Sequence, residues 1–169
     1  MTCLFDHEVE IDWDFDCVKL YESCVLAVLD EEKCPYETEV SLLVTDDNEI
    51  CEINFENRNI NEATDVLSFP MTELSSPSAF EEAEDHPDYF DPESGELILG
   101  DIVISIDHVK AQAEEYGHDI QREFAFLIVH SMLHLCGYDH IEDNDRILME
   151  ERQKIIMKKL SDDFPKLAV

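Results

Sequence analysis

A run of histidines near the carboxyl end of the chain constrains the local fold more than any other feature of the sequence. Residues 130 to 140 read His-Ser-Met-Leu-His-Leu-Cys-Gly-Tyr-Asp-His. Because residues four positions apart share one face of an α-helix, His130 and His134 are predicted to project side by side. Gly137 is predicted to end that helix in the left-handed conformation that glycine adopts readily. The chain can then turn back and bring His140 to the same point.

Three imidazoles around one point predict a metal site, and a single zinc ion is the expected occupant. Catalytic zinc is held by three protein ligands, with a water in the fourth position. Imidazole also suits iron, nickel and copper, so another divalent transition metal is the alternative. A structural zinc would need a fourth protein ligand, for which Cys136 and Asp139 are the local candidates. Asp139 suits a supporting role equally well, through hydrogen bonds to the backbone of the loop.

The spacing of the three histidines is the same as in the metzincin proteases, which predicts a metzincin-like zinc helix. In those enzymes a glutamate follows the first histidine and serves as general base for the zinc-bound water. Ser131 occupies that position here. A serine hydroxyl does not accept a proton comparably at neutral pH, so the sequence disfavours peptide hydrolysis.

Chain length and charge limit the size of the protein and its partners. The 169 residues are enough for one domain, which we expect to span residues 1–169. The 42 acidic and 11 basic residues give a net charge of −31, which predicts long-range repulsion of polyanions. The sequence has no apolar run of membrane-spanning length and no secretory signal, so we expect a cytoplasmic protein without a membrane partner. The six cysteines form no Cys-x-x-Cys pair, which favours free thiols.

Hydrophobic alternation predicts four strands. The first is expected around Val9 and Ile11, and the second over residues 40–44, where apolar and polar side chains alternate. Residues 64–69 are rich in strand-forming residues, and residues 97–105 form an apolar run typical of a buried strand. A glycine at position 100 within that last run indicates a bend or a close approach of another segment.

Capping residues and helical periodicity predict the intervening helices. Asp46 and Asp119 are expected to cap the beginnings of two helices, and Gly117 is expected to follow a third. Residues 147–160 have apolar positions at helical spacing in a charged background. Residues 72–96 are polar and acidic, so we expect a mobile loop that buries little surface. The pattern as a whole predicts an α+β domain in which helices pack on a sheet.

Several motifs resemble those of a known family when they are taken in order along the chain. The histidine segment ends in Gly-Tyr-Asp-His, and residues 64–70 read Thr-Asp-Val-Leu-Ser-Phe-Pro. Residues 99–105 read Leu-Gly-Asp-Ile-Val-Ile-Ser, and residues 112–117 read Gln-Ala-Glu-Glu-Tyr-Gly. Together with Asn54, Arg58 and the Arg122-Glu123 pair, these segments resemble the YbeY family of endoribonucleases, which are bacterial rRNA maturation factors.

The resemblance implies a roughly four-stranded mixed sheet packed with helices and one zinc ion held by His130, His134 and His140. It implies cleavage of single-stranded RNA, maturation of the 3′ end of small-subunit ribosomal RNA, and ribosome quality control. The implied partners are ribosomal RNA, the small ribosomal subunit, ribosomal proteins and an assembly GTPase. A non-catalytic ribosome assembly factor with a structural zinc is the alternative.

The resemblance also implies roles for individual residues. Arg58 and His130 are the expected catalytic residues, while Asp139, Asp101 and Ser131 are candidates for supporting the metal ligands or contacting substrate. Three positions depart from the family pattern, because Ser131 replaces a glycine, Ala63 a common proline and Ile60 a polar residue. These changes bear on substrate affinity more than on the metal, since no ligand is lost.

Arg58 is the only Lys or Arg between residues 34 and 109. Its planar set of donors could stabilise negative charge on phosphoryl oxygens, whereas the alternative is an ion pair with a nearby carboxylate. RNA binding normally needs several cations, and the sequence supplies them in quantity only near its end. We expect Lys154, Lys158 and Lys159 to form a local positive face, with a solvated helix face as the alternative. The full set of these cations is Arg146, Arg152, Lys154, Lys158, Lys159 and Lys166.

Overall fold

The computed structural model describes residues 1–168 and has an α+β architecture. Within these residues the strands are β1 (Thr2–His7), β2 (Thr38–Thr45), β3 (Val66–Pro70) and β4 (Leu97–Ser105). The α-helices are α1 (Cys17–Glu31), α2 (Asp47–Arg58), α3 (Ile106–Tyr116), α4 (Ile120–Leu135) and α5 (Asp143–Asp163). Short 3₁₀ helices cover Phe80–Asp85, Pro87–Tyr89 and Pro165–Leu167.

The four strands form one mixed sheet in the order β1-β2-β4-β3. The β1–β2 and β2–β4 pairs are parallel, and β3 pairs antiparallel with β4 at the edge of the sheet. This arrangement confirms the predicted fold class. It also confirms the second, third and fourth predicted strands to within a few residues at their ends.

The two faces of the sheet carry different layers of helices. Ile102 and Ile104 of β4 belong to the main core, which they share with buried residues of α1, α4 and α5. Val103 points to the opposite face, because side chains alternate along a strand, and there it packs with Ile50 of α2 and Leu67 of β3. The α4 helix therefore lies on one face of the sheet, and α2 approaches the other.

The predicted helix boundaries are confirmed where capping residues define them. The Asp46 carboxylate accepts the backbone N–H of Glu49 at 2.9 Å, and α2 begins at the next residue. The Asp119 carboxylate accepts the N–H of Gln121 at 2.9 Å at the start of α4. The α3 helix ends immediately before Gly117, as expected.

Two predictions about irregular regions are wrong. The first strand lies at Thr2–His7 rather than around Val9 and Ile11, because residues 2–7 pair in parallel register with β2. Val9 and Ile11 instead pack against the core from the connection between β1 and α1. The 72–96 segment was expected to bury little, yet Phe80 and Ala83 are buried in the core. Residues three apart lie on the same side of a 3₁₀ helix, so this short helix turns both toward the core.

Gly100 lies where β3 and β4 approach most closely, which confirms the irregularity predicted there. Its φ is 148°, and the β2–β4 register shifts between Glu39 and Val40 opposite it. A Cβ built on Gly100 would lie 2.2 Å from the carbonyl oxygen of Phe69. Only glycine lets β3 remain paired with β4 at this point.

We predict that Gly100→Ala destabilises the protein by about 2 kcal/mol or more, since the added methyl overlaps a backbone atom that cannot move without breaking the β3 ladder. Urea unfolding followed by circular dichroism measures the change. Gly95→Ala is the matched control, because Gly95 has a φ of 76° but open space around its Cβ position. Equal losses in the two variants would mean that backbone conformation, rather than the close approach, requires glycine at position 100.

Candidate metal centre

The α4 helix places His130 and His134 side by side, one turn apart. The opposite side of the helix is anchored by fully buried apolar residues, among them Phe124, Ile128 and Met132. The Nε2 atoms of the two histidines are 3.2 Å apart. Two nitrogens that bind one tetrahedral zinc at 2.0–2.1 Å lie about 3.3 Å apart, so this separation fits a shared ion.

The turn after α4 brings in the third imidazole. The Tyr138 N–H returns to the carbonyl of Leu133 at 3.0 Å, and Gly137 has a φ of 97°. A Cβ on Gly137 would lie 2.9 Å from the carbonyl oxygen of Ser76, so the turn packs tightly on the segment before the first 3₁₀ helix. One ring nitrogen of each of the three histidines lies within 4.8 Å of the others. The cluster could therefore hold a metal ion.

The His134 ring is held in the tautomer that a metal ligand requires. Its Nδ1–H donates to the Tyr138 carbonyl at 3.0 Å, which leaves the Nε2 lone pair directed at the cluster. Burial lowers the pKa of His134 to about 4, an effect to which the charge of His130 adds. Burial likewise lowers the pKa of His130. Both rings are therefore neutral at pH 7, as metal binding requires.

The side chain of Tyr138 ties this turn to distant parts of the fold. Its hydroxyl donates to Glu32 at 2.5 Å and accepts from Arg152 Nε at 3.2 Å. The same Glu32 oxygen accepts from the Ser78 hydroxyl at 2.6 Å. Burial, followed by the contact with Glu32, raises the pKa of Tyr138 to about 12, so the phenol remains a donor. The end of α1, α5 and the 72–96 segment thus meet at the residue whose carbonyl orients His134.

Arg58 reaches the same cavity from the other side. An Nη atom of Arg58 donates to the Ser68 carbonyl of β3 at 2.8 Å, and the guanidinium lies 5.5 Å from the centre of the Phe69 ring. Among residues 1–168, no carboxylate lies within 4.0 Å of the guanidinium nitrogens. The alternative of an ion-paired arginine is therefore wrong for the described part of the chain.

One cavity of about 530 Å³ is lined by Arg58 and by His130, His134 and His140. The same cavity also touches Asp65 and Ser68. Among the described residues, Arg58 is the one Lys or Arg of this lining, and it lies with the imidazole cluster around a space large enough for a phosphodiester group.

The three candidate supporting residues have different positions. The Asp139 carboxylate accepts the N–H groups of His140 at 2.6 Å and Ile141 at 3.1 Å, so it braces the loop backbone. Ser131 is fully buried, and its hydroxyl bonds to the hydroxyl of Ser68 on β3. Asp101 does not line the cavity, and its carboxylate instead accepts from the Ser41 hydroxyl at 2.5 Å on the neighbouring strand.

No fourth His, Cys, Asp or Glu joins the histidine cluster within the part of the chain that the structure describes. Cys136, one of the two local candidates, is buried in the core, and burial raises the pKa of its thiol far above the usual range. Asp139 is occupied with backbone N–H groups. A closed structural site built from these residues is not supported.

Two polar residues of the cavity, Asp65 and Ser68, received no role from the sequence. Both belong to the Thr-Asp-Val-Leu-Ser-Phe-Pro motif, which was the available signal. The Asp65 carboxylate accepts the N–H of Val66 at 2.8 Å at the start of β3. The pairing of an edge strand with its neighbour determines which of its residues face a helix. The motif alone therefore did not show that Asp65 and Ser68 line the cavity.

Comparison with known proteins gives a consistent result. A family model described as Endoribonuclease YbeY matches residues 5–161. A protein of Lachnoclostridium phytofermentans named Endoribonuclease YbeY is 52% identical over 161 residues, covering 95% of this chain and 98% of that protein. A protein of the same name from Agathobacter rectalis is 50% identical with the same coverage. A Thermotoga maritima protein solved in solution has a TM-score of 0.61 at 22% identity, over 99% of this chain and 97% of that one, and supports the fold.

We predict that Tyr138→Phe lowers the free energy of unfolding by about 1–3 kcal/mol, because Glu32 loses a donor in a buried position. Urea unfolding measures the loss. Tyr36→Phe is the matched control, since the Tyr36 hydroxyl bonds the exposed Glu84 at 3.3 Å and its removal should cost less than about 0.5 kcal/mol. Equal stabilities of the two variants would contradict the bracing role of Tyr138.

Proposed function

The chain belongs to the YbeY family, and we propose on that basis that it is an endoribonuclease that cleaves phosphodiester bonds of single-stranded RNA in ribosomal RNA processing. The family match over residues 5–161 and the named relatives at about 50% identity support this activity. One observation carries the proposal further. The three-histidine cluster and the Arg58 guanidinium face each other across one cavity.

His130, His134 and His140 would hold the metal, and zinc suits their all-imidazole donor set. Zinc held by these residues would supply the nucleophile, because it would lower the pKa of a bound water toward neutrality. The Tyr138 carbonyl keeps His134 in the required tautomer, and the carboxylate of Asp139 keeps the loop that carries His140 in place. These residues preserve the arrangement of the cluster while substrate binds and leaves.

Arg58 is the residue that would stabilise negative charge on the phosphoryl oxygens. One of its Nη atoms is already fixed by the Ser68 carbonyl, and the remaining N–H groups are available to the substrate. A guanidinium held in this way loses little conformational entropy when it contacts two phosphoryl oxygens. Contacts that strengthen as charge develops accelerate the chemical step more than they improve binding.

The alternative functions receive less support. A structural zinc in a non-catalytic assembly factor would need a fourth ligand, and the described residues offer none at the cluster. Peptide hydrolysis would need a general base after His130, whereas the Ser131 hydroxyl is bonded to Ser68 in the interior. Neither alternative explains why Arg58 lines the cavity of the imidazoles with no carboxylate partner in the described part of the chain.

Within the proposed function, the substrate is the 3′ end of small-subunit ribosomal RNA, and the wider role includes ribosome quality control. The small subunit, ribosomal proteins and an assembly GTPase are the proposed partners, in the cytoplasm. Contacts with the ribosome would compensate for the net charge of −31, which repels free RNA at long range. No α-helix among residues 1–168 combines the length and the apolar character needed to span a bilayer.

We predict that Arg58→Ala lowers kcat for cleavage of a fluorogenic single-stranded RNA by about 10²–10³-fold, as expected when a donor to developing charge is lost. Bound zinc, measured by mass spectrometry of the metal, should be unchanged. Arg58→Lys should recover part of the rate, since it keeps the charge but loses the planar donor set.

His134→Ala should lose both bound zinc and RNA cleavage, because two imidazoles hold the ion much less firmly than three. The matched control is His7→Ala, which removes an exposed histidine outside the cavity. Wild-type protein that binds zinc but cuts neither free RNA nor assembled small subunits would contradict the proposed activity and favour the assembly-factor alternative.

A further inference from the structure

A second and larger cavity, of about 610 Å³, is lined by residues of α4 and α5 together with Leu167 and Ala168. We refer to it as the α4–α5 groove and define it by Arg122, Phe126, Gln153, Lys154, Met157 and Lys158. The groove is not part of the cavity that contains the three histidines.

One ridge of α4 leads from the groove to the histidine cluster. Arg122, Phe126, His130 and His134 follow each other at intervals of four residues and therefore form one inclined ridge along the helix, in which each residue is rotated by about 40° from the one before it. The rings of Phe126 and His130 are nearly parallel, with an angle of 15° and centroids 6.5 Å apart. Eight residues of helix separate Arg122 from His130, so the ridge extends about 12 Å from the cluster.

Phe126 is a large aromatic residue of α4 that remains partly exposed to solvent. Its side chain is 39% exposed, whereas the neighbouring Phe124 and Leu127 are buried in the core. An exposed aromatic ring next to a nucleic-acid cleavage site is a platform on which a base can stack. Such stacking tolerates any base, because every base has an aromatic face.

The charge of the groove is opposite to that of the rest of the protein. The chain has 42 acidic and 11 basic residues, yet the groove is lined by three cations, Arg122, Lys154 and Lys158, and one carboxylate, Glu150. Within residues 1–168, no carboxylate lies within 4.0 Å of the ammonium groups of Lys154 and Lys158. These cations are available to an anionic ligand.

The ion pairs of α5 also change which of its cations can form the positive face that was expected on this helix. Lys159 was grouped with Lys154 and Lys158, but it forms an ion pair with Glu31 of α1. Arg152 also pairs with Glu31, at 3.4 Å. These two cations hold α5 against α1, and only Lys154 and Lys158 turn toward the groove.

We propose that the α4–α5 groove binds the single-stranded RNA substrate on one side of the scissile phosphodiester bond. A base stacks on Phe126, and the flanking phosphates contact Arg122, Lys154 and Lys158. The inference rests on the proposed endoribonuclease function and assigns it a binding surface. An apolar peptide would fill the groove without using the cations, whereas RNA uses the ring, the cations and the ridge that leads to the histidines.

The test compares two double charge reversals in the full chain. Lys154→Glu/Lys158→Glu alters the groove, and Lys19→Glu/Lys110→Glu makes the same change in net charge at exposed lysines of α1 and α3 outside it. Binding of a fluorescein-labelled RNA octamer is measured by anisotropy with chelator-treated protein, so that the RNA stays intact. KM and kcat are measured with the same proteins after zinc is restored.

The groove variant should bind RNA about fivefold or more weakly than the control variant and raise KM by a similar factor with kcat unchanged. Loss of two phosphate contacts should also lower the slope of log K against log salt by about 1.4. Phe126→Ala should weaken binding roughly tenfold, and Phe126→Leu nearly as much, because leucine keeps the apolar bulk but not the ring. Circular dichroism and bound zinc check that each variant is folded and loaded.

Equal RNA affinities in the groove and control variants would overturn the proposal, and so would undetectable binding by the wild type. If the groove variants keep their RNA affinity but lose binding to ribosomal proteins of the small subunit, the groove is a protein-docking surface instead. The binding measurement tests the role of the groove independently of RNA cleavage. Wild-type protein that binds RNA through the groove but never cuts it would contradict the proposed activity and leave the groove assignment intact.

Discussion

The burial of α4 is the constraint on which the rest of the structure depends. The helix packs against β3, β4, α1, α3 and α5, and each large apolar side chain that it buries contributes about 1.5–3 kcal/mol. This packing fixes the rotation of the helix, so the ridge with His130 and His134 must face the edge strand β3. The histidine cluster and the α4–α5 groove both follow from that rotation, because they lie on adjacent parts of the same ridge of α4.

The edge position of β3 then determines what the histidines face. Its antiparallel pairing with β4 depends on Gly100, where a side chain would meet the Phe69 backbone. The strand presents the Ser68 carbonyl to Arg58 and the Ser68 hydroxyl to Ser131 of α4. Ser131 thus contributes a hydrogen bond between helix and strand and does not line the cavity.

A strongly acidic protein can act on RNA if its charged residues are distributed unevenly over its surface, as they are here. Most of the surface repels a polyanion, while Arg58 has no carboxylate partner among residues 1–168 and Lys154 and Lys158 line the groove. Lys159 and Arg152 of the same helix instead hold α5 to α1 through Glu31. Net charge alone therefore describes the long-range repulsion of RNA, whereas the local charge of the cavity and of the groove is set by these few cations.

The sequence by itself determined the histidine cluster, three of the four strands and the capped helix ends, because helical spacing, alternation and capping are local properties of the chain. It did not place the first strand or the buried side of the 72–96 segment, since both depend on partners far away in sequence. Nor could it separate Lys159 from Lys154 and Lys158 or show that Asp101 does not line the cavity. Only the tertiary structure decided those points, because strand pairing and helix packing select which side chains meet.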